Sequence, residues 1–122
     1  VRILIADDDP EMLELVSNIA TKQLRAEVTR AATGHELLQA IAHGDFDLII
    51  TDISMPWMTG LQVMHSARTA GLPVPVVVMT GMTQAEVAGQ VHSLGERARL
   101  IRKPFSLQEL MAAVGEVIVH AA

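Results

Sequence analysis

The chain predicts an α/β fold, a doubly wound parallel sheet of five strand–helix units, and three observations lead there. Short apolar runs rich in β-branched residues alternate with stretches whose apolar residues recur at helical spacing. Three of those runs, VRILIA, FDLIIT and VPVVVM, are apolar at both parities, as central strands covered on both faces are. Three of the intervening stretches open with the S/T-x-x-E spacing of a capping box. Strands and helices that alternate in this way place helices on both faces of a parallel sheet.

The elements follow in order. VRILIA (1–6) reads as a buried strand. After Pro10, the spacing of Met12, Leu15, Val16 and Ile19 marks one face of a helix. AEVTRA (26–31) is a weaker strand. Thr33 and Glu36 form a capping box before Leu37, Leu38 and Ile41, and Gly44 is placed to end that helix as a C′ glycine. FDLIIT (46–51) is the third strand, followed by a helix over roughly 59–70 that Gly71 ends. VPVVVM (74–79) is the fourth strand. Thr83 and Glu86 open a helix to about Leu94, and RLIR (99–102) is the fifth strand. Ser106 and Glu109 open the last helix, marked by Leu107, Leu110, Met111, Val114 and Ile118.

Composition narrows the function. The 122 residues, half of them apolar, suit one domain over 1–122 with a single core. The net charge of −5 argues against a nucleic-acid surface, and no apolar run is long enough to span a membrane. Without cysteine there are neither disulfides nor thiolate metal sites, which is compatible with the cytoplasm. The chain begins with Val rather than Met, as a trimmed protein or a piece of a longer one would. The five histidines are scattered with no i, i+4 pair and read as surface residues, and the methionines read as core filler.

In an open parallel sheet, ligands bind beyond the carboxyl ends of the strands. The first strand is followed there by Asp7 and Asp8, the third by Asp52, the fourth by Thr80 and the fifth by Lys103. Carboxylates gathered this closely repel one another unless a cation sits among them. A hard divalent cation with oxygen ligands answers that need, and Mg²⁺ suits it because it keeps waters that a phosphate can displace. With Mg²⁺ and Lys103 present, one carboxylate can act as a nucleophile toward a phosphoryl group. Lys103 would offset charge on the phosphoryl oxygens and Thr80 would donate to one of them. Alternation sends Arg102 and Lys103 to opposite sides, so one of the two enters the site. Pro10 suits the first helical position, which makes Asp9 an N-cap rather than a third site carboxylate. On these grounds removal of Asp7 or Asp8 is expected to relieve repulsion in the metal-free protein.

Four pieces, ILIADDDP, DLIITDISMPWMTGL, VVVMTG and IRKPF, occur in register on the strand ends. Together they resemble the receiver domain of response regulators, the phosphoacceptor module of two-component signalling, over residues 2 to about 119. The resemblance implies a flavodoxin-like sheet of order 2-1-3-4-5 and phosphorylation at Asp52, which the domain catalyses and reverses itself. It implies Mg²⁺ held by Asp7, Asp8, Asp52 and the backbone carbonyl of Ser54, with Thr80 and Lys103 on the phosphoryl group. It also implies a cis bond between Lys103 and Pro104. The implied donor is a phosphohistidine of a histidine kinase or a histidine phosphotransfer protein. The implied output face, toward an output domain, a downstream protein or a second copy in a homodimer, is the fourth helix, fifth strand and fifth helix. No output domain is legible in these residues. Ser54 and Met82 flank the site where similar domains tune hydrolysis, and Trp57 stands near enough to report metal binding by fluorescence. One departure concerns the switch that accompanies Thr80: similar domains carry an aromatic residue three before the lysine, and here that residue is Leu100.

Other classes fit less well. A phosphatase using the D-x-D within Asp7–Asp9 would leave Asp52 without a role. A flavodoxin-like cofactor binder would need a phosphate-cradling first loop, where this chain has three acids. A receiver-like module that binds partners without phosphorylation would be expected to lack one of the acid, Thr or Lys residues.

Overall fold

Each apolar run becomes a strand. The computed structural model describes residues 1–55, 59–81, 84–95 and 97–121. Its strands are β1 (Arg2–Ala6), β2 (Glu27–Ala31), β3 (Leu48–Asp52), β4 (Val76–Thr80) and β5 (Ala98–Arg102). Its helices are α1 (Pro10–Leu24), α2 (Gly34–His43), α3 (Gly60–Thr69), α4 (Gln84–His92) and α5 (Leu107–Ala121). The strands pair in parallel in the order β2-β1-β3-β4-β5. No helix among the described residues is long and apolar enough to cross a membrane.

Strand alternation divides the core into two layers. Leu4, Ala6, Ile49, Val76 and Val78 face one way and pack with Leu37, Val63, Met64, Val91 and Leu94 from α2, α3 and the α4 end. Ile3, Ile5, Leu48, Ile50, Val77 and Met79 face the other way and pack with Val16 and Ala20 of α1 and with Leu110, Val114 and Val117 of α5. β1, β3 and β4 are therefore covered on both sides, which is why their sequences lack a polar parity.

Several boundaries and one helix end differ from the sequence reading. β4 begins at Val76 rather than Val74, because Pro75 has no N–H for the ladder; its carbonyl accepts from Ile49 instead, at 2.9 Å. β3 runs to Asp52 and β4 to Thr80, so both polar residues are the last of their strands. Gly44 stands at the end of α2, but with an extended backbone (φ −142°, ψ 161°) rather than the left-handed one of a C′ glycine. The ring of Phe46 folds back to within 3.0 Å of where a Cβ would stand, so the missing side chain makes room rather than a turn.

Caps fix the helix starts. Thr33 Oγ1 accepts from the Glu36 N–H at 3.1 Å, and Ser106 and Glu109 exchange both bonds of a capping box. Thr59 and Gln62 form another box, at 3.1 and 2.9 Å, from a T-x-x-Q spacing in place of T-x-x-E. The Thr83 cap falls outside the described residues. Asp9, extended at φ −87°, accepts from the Glu11 N–H at 3.0 Å with Pro10 in the first turn. Replacing Asp9 by Ala removes this acceptor and a charge favoured by the helix dipole. Chemical denaturation of Asp9→Ala should show a loss of about 1 kcal/mol, with Mg²⁺ affinity close to wild type.

Candidate functional site

The carboxyl ends of β1, β3, β4 and β5 bring the predicted residues to one edge. Asp7 shares the parity of Ile3 and Ile5, and Asp52 that of Leu48 and Ile50, so both carboxylates emerge on the α1/α5 side. Asp7 is fully buried and Asp52 is 6% exposed, whereas Asp8, one residue beyond, is exposed. The sequence pairs Asp7 with Asp8; in the structure the two differ in burial. Asp7 N–H continues the ladder to the Ala31 carbonyl at 3.1 Å, and Asp7 Oδ1 accepts from the Asp9 N–H at 2.9 Å.

Lys103 supplies the cation. Its Nζ lies 2.8 Å from Asp7 Oδ2 and 3.3 Å from Asp52 Oδ2. Its own N–H donates to the Thr80 carbonyl at 2.6 Å, which ties the turn after β5 to the end of β4. Arg102 is exposed, so Lys103 is the member of that pair that turns inward. The Lys103–Pro104 peptide bond is cis. Thr80 is fully buried at the end of β4. The second oxygen of Asp52, Oδ1, accepts from the Ser54 N–H at 3.3 Å, which brings the residue 54 backbone beside the carboxylates. Leu100 is half-buried against the layer that holds Val91 and Leu94, on the opposite side of β5 from the site. Trp57 and Met82 fall outside the described residues.

The electrostatics are unbalanced toward negative charge. Burial and the neighbouring charge of Asp7 push the Asp52 carboxyl up to about 6, against the opposing pull of Lys103 and the Ser54 N–H. Burial disfavours the Lys103 ammonium, yet Asp7 and Asp52 outweigh it and leave its pKa raised. One lysine therefore does not offset two carboxylates. Asp7, Asp8 and Asp52 each offer an oxygen within 4.8 Å of the others, a purely oxygen donor set with one exposed side. That chemistry fits a hard dication that keeps part of its water shell. A separate cavity of about 350 Å³ lies at the opposite edge of the sheet, lined by Phe46, Leu72, Val74 and Arg97, and shares no residue with this site.

Comparison with known proteins bears on this arrangement. Residues 3–115 match the family model of the response regulator receiver domain. The chain belongs to that family. Relatives include the uncharacterized transcriptional regulatory protein YesN of Bacillus subtilis, 29% identical over 98% of this chain and 33% of its own length. Transcriptional regulatory protein TcrA of Mycobacterium tuberculosis is 30% identical over 92% of this chain and 44% of its own. The receiver domain thus spans half the length of these curated relatives or less. Among solved structures, chemotaxis response regulator CheY4 of Vibrio cholerae superposes with a TM-score of 0.83 at 28% identity, covering 96% of this chain and 98% of that one. Response regulator TrrA of Thermotoga maritima, solved in complex with Mg²⁺ and BeF, gives 0.81 at 27% identity over 95% and 97% of the two chains.

Two outcomes follow from the geometry. Asp7→Ala takes from Lys103 its 2.8 Å partner inside the fold, so it should destabilise the metal-free receiver domain by about 1–3 kcal/mol. At Asp7 this lost partner outweighs the repulsion of Asp52 that its removal relieves; Asp8→Ala removes only an exposed charge and should leave thermal stability near wild type. The second concerns pH. A carboxyl near 6 in the fold and 3.8 when unfolded favours the folded state fully below 3.8 and loses that contribution as pH rises to about 6. Asp52→Asn should accordingly stabilise the metal-free protein at pH 7.5 by on the order of 1–3 kcal/mol, with the gain shrinking toward pH 4. Unfolding curves that show the same gain at both pH values would contradict this assignment.

Proposed function

We propose that this receiver domain is a phosphorylation-switched signalling module whose phosphoacceptor is Asp52. The observation that carries the reading is the ammonium of Lys103 bridging Asp7 and Asp52, with Asp8 and the buried Thr80 at the same edge. Asp52, like Asp7, ends a central strand with partners on both oxygens that orient it, and the assignment of the phosphoacceptor to Asp52 rather than Asp7 follows the resemblance to receiver domains. Asp7, Asp8, Asp52 and the Ser54 backbone carbonyl would hold Mg²⁺. When bound, Mg²⁺ offsets charge on the carboxylates and on the phosphoryl oxygens.

In the transfer, an Asp52 carboxylate oxygen attacks the phosphorus of a phosphohistidine on a histidine kinase or phosphotransfer protein. The P–O bond forms as the P–N bond breaks, and its electron pair returns to the imidazole. The product on Asp52 is a mixed carboxylic–phosphoric anhydride. Lys103 exchanges its contact with the Asp52 carboxylate for one with the phosphoryl oxygens, and Thr80 Oγ1 donates to another. Hydrolysis adds water at phosphorus, breaks the same P–O bond, restores the carboxylate and releases inorganic phosphate and a proton.

The response would pass from Thr80 and Lys103 into β5. Leu100 lies on that strand against the α4 layer, so a non-aromatic repacking there takes the place of an aromatic switch. The face of α4, β5 and α5 is the proposed surface for an output domain, a downstream protein or a second copy. A depression of about 280 Å³ between β5 and α5, lined by Leu100, Arg102, Glu109 and Ala112, supports this surface. The transcriptional regulators among the relatives are consistent with an output domain and with action in the cytoplasm.

The test is direct. With Mg²⁺ and a small phosphodonor, intact mass should show one added phosphoryl group on the wild type and none on Asp52→Asn. Absence of the adduct on the wild type, or an equal adduct on the variant, removes Asp52 from this role and favours a receiver-like module that binds without phosphorylation.

A further inference from the structure

We infer that Thr51, the residue before Asp52, is a positioning residue for phosphoryl transfer, its hydroxyl fixing the peptide from which the Asp52 carboxylate projects. The inference rests on the reading of Asp52 as the phosphoacceptor. Thr51 lies on the α2/α3 face of β3, at the parity of Ile49 and in register with Ala6 of β1 and Val78 of β4. Every one of these neighbours is apolar, and Thr51 itself is fully buried. A hydroxyl buried there is costly unless it is hydrogen-bonded, and Val would fill the same shape without that cost. The bond it makes is to the carbonyl oxygen of Asp52, at 3.0 Å.

That carbonyl sits where the sheet gives way to the loop. Ile53 N–H still reaches the Met79 carbonyl at 2.9 Å, and the Ile53 carbonyl then accepts from the Gly60 N–H at 3.2 Å. The chain returns at Gly60 directly over the same peptide. A Cβ on Gly60 would collide with Asp52 O and fall 2.7 Å from Thr51 Oγ1. The Asp52 carbonyl is thus enclosed by the Thr51 hydroxyl on one side and the bare Cα of Gly60 on the other. The next peptide, Ile53–Ser54, is held through the bond from the Gly60 N–H to the Ile53 carbonyl, and its Ser54 N–H orients Asp52 Oδ1. In-line attack on phosphorus depends on the carboxylate's direction, and small misplacements of a reacting group cost rate steeply.

The experiment compares Thr51→Val and Thr51→Ser with wild type. It follows phosphorylation by a small acyl phosphate with time by intact mass, at saturating Mg²⁺ and well below the unfolding temperature. Calorimetric Mg²⁺ affinity and thermal unfolding are measured alongside. Thr51→Val should be phosphorylated about tenfold more slowly, with Mg²⁺ affinity and unfolding temperature little changed. Thr51→Ser, which keeps the hydroxyl, should retain most of the rate. Should Val crowd Gly60, Thr51→Ala against Thr51→Ser asks the same question. A hydroxyl that only satisfies itself predicts equal rates for all folded variants, and that result overturns the inference. So does a Ser variant as slow as Val. Failure of the underlying site reading would show separately, as a wild type that gains no phosphoryl group.

Discussion

Two carboxylates at the ends of adjacent central strands are the constraint around which the rest of this molecule is arranged. Parallel pairing of β1 with β3 brings Asp7 and Asp52 to the same edge and the same face, out of most of the water that would screen them. One ammonium, reaching in from the turn after β5, touches both. It does not neutralise them, and burial together with the charge of Asp7 leaves the Asp52 carboxyl shifted upward. The remaining negative charge is what a dication can use. The site therefore carries a local cost in stability, a trade common where charge is gathered for chemistry.

The scaffold holds that cost with ordinary means. The two apolar layers fix the strands from both sides, so the strand ends cannot spread to relieve the repulsion. Asp9 caps α1 while its own N–H holds Asp7 Oδ1, so one turn of chain both starts a helix and aims a site carboxylate. Across the sheet, Arg68 of α3 donates through Nε to the Leu94 carbonyl and through Nη1 to the Leu72 carbonyl, at 3.1 and 3.0 Å. That bond joins the end of α4 to α3, whose first residue lies over Asp52. The end of α4 is thus anchored through the helix that begins at the site.

Much of this was legible in the sequence, and the reasons are local. Apolar runs without a polar parity marked the central strands, and the polar residue after each run marked the site edge. Pro10 separated Asp9 from its neighbours, because a proline at that position specifies a helix start. Residue spacing could not show that Asp7 and Asp8 differ, although the parity of Ile3 and Ile5 extended to Asp7 would have pointed to its burial. Gly44 was misjudged because a glycine after a helix has two uses, turning and making room, and only the position of Phe46 decides between them. The clamps made by Arg68 were beyond sequence reasoning altogether. Their acceptors are backbone carbonyls, which every residue carries, and one of them lies 26 positions away. Thr51 looked like part of a strand because Thr favours strands; its hydroxyl's partner became visible only in coordinates.

The bond between Lys103 and Asp7 joins residues 96 positions apart. β1 and β3 can pair, and the acids can meet, before the fifth strand has docked, but in that state the acids have no cation from the protein. Completion of the site thus coincides with completion of the fold. A nascent or partly unfolded chain carries the carboxylates without the ammonium that touches both, so the complete charge arrangement is itself a report that the last strand is in place.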